Sequence, residues 1–361
     1  MAGVTPSTTL VYHRASLEPT LRRTPYRRWR PALEFVVALV LFFLIQALFT
    51  AVFLFTSFGI GVDMEWLYSL IIDPDLGTNP VNMAFFYGAI ALSGIAAFIA
   101  AWLGGRRPRA LLSVTGRIRW RIVRLSLLLI GVPPALALVV DAIIHRGIPA
   151  PLDGTFWVSA AICVSLIPLQ CAAEELVFRG SLPQALGAWI RSPWVVYAIS
   201  LPLFVFGHTY SAGGLVSVAV FAAFTSLLVH RTGGLEAAIV LHSVNNMSLA
   251  YADFAGITEL IDVSNRPLVS AAAYLLQYAG ALVVLVVLAR YAPRTPGPPP
   301  GWFPGPGWYA GWPAVATRLG AGQPQIAHKP FHRPPKQHGG VVKRPIAEVP
   351  EHFARNQPNN P

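Results

Sequence analysis

Two adjacent carboxylates, Glu174 and Glu175, stand just before Arg179 inside an otherwise apolar stretch, Gln170 to Gly180. Two histidines follow, His208 and His242, and an amide, Asn246, lies four residues after the second histidine. A carboxylate can take a proton from water, and imidazole or amide N–H groups can stabilise an oxyanion. On a helix, Glu175 and Arg179 at i,i+4 share a face, with the acid first, the favourable order for an ion pair. Glu174 lies about 100° around the helix from Glu175, without that partner, and is the freer carboxylate and the candidate general base. His242 and Asn246 share a face in the same way. A lone membrane His or Asn is more often a helix–helix hydrogen bonder. Recurrence of such residues in three neighbouring segments points to a common site.

The elements that must position them are membrane helices. The chain has 361 residues, 54% of them hydrophobic and only 12% charged, against about 25% charged in soluble domains. A charge at the centre of a bilayer costs about 2.5–3.5 kcal/mol on insertion scales, so each ionisable group retained there needs an explanation. The hydropathy pattern predicts an all-α, polytopic helix bundle with about eight transmembrane helices over residues 34–290: 34–60, 81–105, 122–144, one from near Thr155, 194–211, 214–230, 235–253 and 267–290. Pro133 and Pro134 must kink or break the third. Well inside the spans the ionisable residues reduce to Glu174, Glu175, Arg179, His208 and His242, with Asp141 nearer an end.

The net charge of +11 is concentrated outside these spans. Six of the 27 basic residues lie in 1–30, seven in 106–124 and eight in 291–361. With the N-terminus inside, these segments, Arg191 and Arg231 fall on one side, and Asp63–Asp75, Asp153, Glu259 and Asp262 on the other; only Arg146 and Arg266 depart. The distribution predicts an integral membrane protein with both termini cytoplasmic, in a bacterial plasma membrane, and no nucleic-acid partner. Residues 1–33 read as a basic arm, and 291–361, which holds half of the 32 prolines, as a Pro/Gly-rich basic tail. Both tails are expected to be disordered and able to meet anionic lipid headgroups. Cys163 and Cys171 support neither a disulfide framework nor CxxC metal spacing.

Depth can be counted at 1.5 Å per residue. From Arg191, Glu174 and His208 are each seventeen residues away, about 25 Å along a straight helix; from Arg231, His242 is eleven residues in, about 16 Å. The three can meet only if the fourth helix continues past Arg179 towards Leu186.

Glu174-Glu175-x-x-x-Arg179, Phe204-x-x-x-His208 and His242-x-x-x-Asn246, in this order, resemble the CPBP family of intramembrane proteases, which includes CAAX prenyl endopeptidases and bacteriocin-processing or self-immunity proteins. The resemblance covers about 155–254. It implies that Glu174 activates water with His208 as partner, that His242 and Asn246 bind the oxyanion, and that Glu175 and Arg179 support the geometry. It leaves the mechanism open between a glutamate type and a metallo type, in which Glu174, His208 and His242 would hold Zn2+ with an open position. HExxH and GxSxG are absent. The expected activity is hydrolysis of a peptide bond in a membrane-associated protein or peptide. Two other classes remain: a non-catalytic immunity or scaffold protein, for which a sealed polar cluster would speak, and a proton-coupled transporter, which would need access from both sides. Oligomeric state is not legible.

Overall fold

The computed structural model describes residues 12–17, 21–72, 79–144, 150–208, 210–256 and 267–289, without the side chains of 69, 71, 72, 141, 142, 144, 267–274, 288 and 289. Among these residues every regular element is a helix. The elements are α1 (Arg30–Gly59), α2 (Met64–Ile72), α3 (Pro80–Ser93), α4 (Ile95–Leu103), α5 (Trp120–Ser126), α6 (Val132–Ile144), α7 (Gly154–Glu175), α8 (Leu182–Leu186), α9 (Pro193–Val205), α10 (Ala212–Thr232), α11 (Glu236–Phe254) and α12 (Pro267–Ala289).

Each of the eight expected stretches contains helix. Five helical runs are long and apolar enough to cross a membrane: Arg30–Gly59, Pro80–Leu103, Trp120–Val140, Gly154–Leu186 and Ala212–Thr232. The others differ for physical reasons. α9 has 13 residues, about 20 Å of rise against a hydrocarbon core of about 30 Å. α11 is diluted by Glu236, His242, Asn245 and Asn246.

Local sequence sets the helix ends. Asn79 accepts from the Val81 N–H, with Pro80 in the first turn of α3, and Asp153 accepts from the Phe156 N–H at 3.0 Å to start α7. Gly233, at φ +69°, closes α10 in the left-handed conformation that lacks a Cβ penalty there. Two helices contain a wide π turn, at Leu127–Gly131 and at Leu176–Ser181. Each precedes proline: Pro133 and Pro134 after the first, Pro183 after the second. A proline cannot donate to the carbonyl four residues back, and its ring crowds that carbonyl, so the helix widens locally instead of breaking. The first of these replaces a simple kink in the third span. Gly280 of α12 packs against it, where a Cβ would lie 2.0 Å from the Leu129 carbonyl oxygen.

α7 is the central element, packed on α3 and on α11, while α1 packs on α3 and α4. Large apolar side chains such as Phe55, Val139, Val164 and Val216 face outward, and several charged groups face inward. Glu34 in α1 and Arg106 after α4 pair at 3.4 Å, each about 1% exposed, and the Ser181 hydroxyl donates to the same carboxylate at 3.4 Å.

The N-terminal arm departs from the expected disorder. Tyr12–Leu17 form a 310 helix, and the Tyr12 hydroxyl donates to the Leu111 carbonyl inside the main apolar core. His13 Nε2 donates to the Arg191 carbonyl at 3.0 Å, and the Arg22 guanidinium to the Ser16 carbonyl at 2.6 Å. The Leu21 carbonyl accepts from the Arg107 N–H at 2.9 Å. A buried aromatic ring and satisfied backbone groups outweigh the basic composition here. Residues 1–11, 18–20 and the tail 291–361 lie outside the described residues, as do Asp73, Asp75 and the side chain of Asp141.

Candidate active site

The fourth helical run extends unbroken from Gly154 to Leu186, so the helix does continue past Arg179. At its centre, Glu175 is fully buried. Its Oε1 lies 3.2 Å from the Arg179 guanidinium and 3.0 Å from His242 Nδ1 of α11. The expected i,i+4 pair is therefore formed, and it has a third member. Arg179 completes its surroundings by stacking on Phe204, with the guanidinium carbon 3.8 Å from the ring centre.

Glu174 occupies a different environment. Its side chain is 13% exposed, and its Oε2 stands 3.5 Å from His242 Nε2. That oxygen makes no hydrogen bond among the described residues. One imidazole therefore sits between two successive carboxylates, close to the buried one and at the limit of contact with the more open one.

Asn246 lies one turn beyond His242 on α11. Its Nδ2 donates to Gln170 Oε1 at 3.2 Å, and its Oδ1 accepts from Asn245 Nδ2 at 3.1 Å. Gln170, itself buried, also accepts from the Cys171 thiol at 3.2 Å. The roles read from the sequence omit Gln170. The available signal was its position one helical turn before Glu174, which puts the amide and the carboxylate on one face.

His208 is placed apart. α9 ends at Val205, and His208 Nδ1 donates back to the Phe204 carbonyl at 2.9 Å. Its ring packs on Phe204, at 4.8 Å between centres, and beside Tyr210, at 5.5 Å. Phe204 also meets His242, at 6.1 Å. The two histidines thus share the Phe204 ring, and no hydrogen bond joins His208 to Glu174 among the described residues. Glu174, Glu175, Arg179 and His242 form one polar network, and Asn246, Asn245 and Gln170 a second on the same two helices, α7 and α11, while His208 packs on Phe204.

Among the described residues no three His, Cys, Asp or Glu side chains come together at a spacing that could hold a metal ion. In this arrangement Glu174, His208 and His242 do not fit as a ligand set.

Two comparisons with known proteins bear on this site. Residues 155–248 match the family model described as type II CAAX prenyl endopeptidase, Rce1-like. The uncharacterized protein YyaK of Bacillus subtilis strain 168 is 25% identical over 240 residues, 61% of this chain and 76% of YyaK. No solved structure matches the chain significantly. The matched segment contains all three motifs, from Glu174 to Asn246. Residues 155–248 are thus similar to an Rce1-like endopeptidase family, within a membrane chain whose motifs resemble those of the CPBP intramembrane proteases.

Proposed function

We propose that the chain is an intramembrane endopeptidase that hydrolyses a peptide bond of a membrane-associated protein or peptide, with Glu174 as the group that activates water. The observation that carries this reading is the inequality of the two carboxylates. Glu175 is sealed and paired with Arg179 and His242, whereas Glu174 is partly open and, among the described residues, meets His242 alone, at 3.5 Å.

In this mechanism a water between Glu174 and the scissile carbonyl gives its proton to the carboxylate as its oxygen bonds to the carbonyl carbon. The resulting oxyanion is met by the Asn246 amide N–H, whose present acceptor is Gln170, and by the His242 imidazole. Glu174 then passes the proton to the leaving nitrogen, and the C–N bond breaks. Glu175 fixes the orientation of His242 through Nδ1, and Arg179 pairs with Glu175 in a dry site. The role of His208 as partner to Glu174 rests on the family resemblance and requires its side chain to leave the Phe204 carbonyl. The steps use only the chain's own groups, so a strong metal chelator should leave the rate unchanged. The concentration of arginines at the ends and in the 106–124 loop supports a bacterial plasma membrane location with both termini in the cytoplasm.

A scaffold or immunity role is the second reading, favoured by the complete burial of Glu175 and Arg179. Comparison of membrane-derived peptides from cells expressing the wild type or Glu174→Gln distinguishes the two. Proteolysis requires cleavage products that vanish in the variant while the protein still inserts. Identical peptide profiles would overturn the enzymatic reading.

A further inference from the structure

Beside α7 lies an apolar groove of about 740 Å³. Its walls are α3–α4, through Gly88, Ala91 and Phe98, α7, through Leu166 and Ala173, and α11, through Ile239 and Val240. The walls come close because Gly94 lacks a side chain: a Cβ there would lie 2.8 Å from the Ala173 Cβ. From Phe98 to Gly88 the groove follows ten residues of helix, about 15 Å. Leu92, Ile95 and Leu169 at its border are exposed, so it opens sideways, where the bilayer would lie.

The mouth has different chemistry. Ile118, Trp120 and Val123 line it, and the loop and helix that carry them bear Arg117, Arg121 and Arg124, all exposed. Residues 104–127 contain no acidic residue. The carboxylate at the mouth, Glu236, is already answered: Arg119 Nε donates to its Oε1 at 2.8 Å and Arg119 Nη2 to its Oε2 at 2.6 Å. What faces the surroundings is net positive, beside an exposed tryptophan of the kind that settles at headgroup depth.

We propose that this groove is a binding site for one anionic glycerophospholipid of the surrounding bilayer, an acyl chain lying between α3–α4 and α7 and the phosphate headgroup held by Arg117 and Arg124. An apolar slot long enough for much of an acyl chain fits the tail, and the exposed guanidinium groups of Arg117 and Arg124, in a segment without acidic residues, fit the head. The groove lining includes neither Glu174 nor Glu175, and lipid binding there does not depend on the proposed proteolysis.

The test uses the full chain in nanodiscs of phosphatidylglycerol and phosphatidylcholine in equal amounts, followed by native mass spectrometry of the lipids retained on release. One retained lipid is expected, with phosphatidylglycerol favoured at least tenfold. Arg117→Ala/Arg124→Ala should reduce that preference to near unity, and Arg117→Lys/Arg124→Lys should restore most of it. Ala91→Phe should abolish retention by filling the slot, with thermal unfolding of each variant as the control for folding. Any Ala91→Phe sample that fails to fold is replaced by Leu166→Trp, in the α7 wall. Equal retention of the two lipids by the wild type, a preference that survives both filled-groove variants, or a polypeptide in place of lipid would overturn the proposal.

Discussion

His242 Nε2 stands 3.5 Å from Glu174 Oε2, while Nδ1 of the same ring is 3.0 Å from Glu175. Adjacent acids thus contact opposite edges of one imidazole, and only the nearer contact is sealed and backed by arginine. Under the proposed chemistry Glu174→Gln should lose about 10²–10⁴ of cleavage rate, the usual worth of a positioned acid–base group. Its unfolding temperature should change little, because Glu174 Oε2 meets His242 only at 3.5 Å and makes no hydrogen bond among the described residues. Peptide cleavage and thermal unfolding, measured on the same preparation, check the split.

Arg179 is expected to be a stability residue first. Arg179→Met leaves the Glu175 carboxylate with His242 alone in a dry interior, a loss of about 3–5 kcal/mol for a broken buried pair. Glu175→Leu/Arg179→Met removes both members of the pair and should regain most of that loss while remaining inactive, because His242 loses its anchor at Nδ1. Denaturant titration of the two variants, with cleavage measured in parallel, gives both readouts.

Gly187 lies where the N-terminal 310 helix crosses the bundle, and a Cβ there would come 1.7 Å from the His13 carbonyl oxygen. Backbone cannot yield as a flexible side chain can, so Gly187→Ala should displace Tyr12–Leu17. Limited proteolysis is expected to cut the variant within the first 25 residues at a rate at least tenfold above that of the wild type, with the transmembrane fragments unchanged.

Low pH should loosen the same segment. Burial lowers the His13 pKa to about 4, opposed in part by its hydrogen bond to the Arg191 carbonyl, with His230 and Arg14 lowering it further. The docked state therefore binds fewer protons than the released one between about pH 4 and 6.5, and docking weakens as pH falls through that window. Protease cleavage of the N-terminal segment should rise from pH 7 to pH 4.5 in the wild type. His13→Gln, which cannot charge, should flatten the profile.

The motif residues were legible because ionisable groups are so rare in these spans that each one stands out. The i,i+4 spacing of Glu175 and Arg179 is realised as an ion pair, and the run of helix to Leu186 meets the condition that counting along the chain had set. Counting gave depth but not azimuth. His208 lies beyond the end of α9, where the backbone turns and its ring folds back on Phe204, so equal depth did not produce contact with Glu174. Glu34–Arg106 and Arg119–Glu236 were hidden for another reason. They sit at span ends, where charge reads as topology, and their pairing depends on which helices are neighbours. Composition also could not reveal that Tyr12 of a basic arm finds a place in the core.

The wide turn at Leu176–Ser181 makes the two halves of its helix keep different phase. Residues up to Glu175 present their carboxylates to α11, and residues from Leu182 onward form α8, against which the N-terminal 310 helix packs. An ordinary α-helix would tie these two orientations together at about 100° per residue. The π turn, by taking up one extra residue, releases that tie: the face turned to α11 and the face turned to the N-terminal segment are set independently. Deleting a single residue between 176 and 181 would restore regular helix, and one of the two faces would have to turn away from its partner.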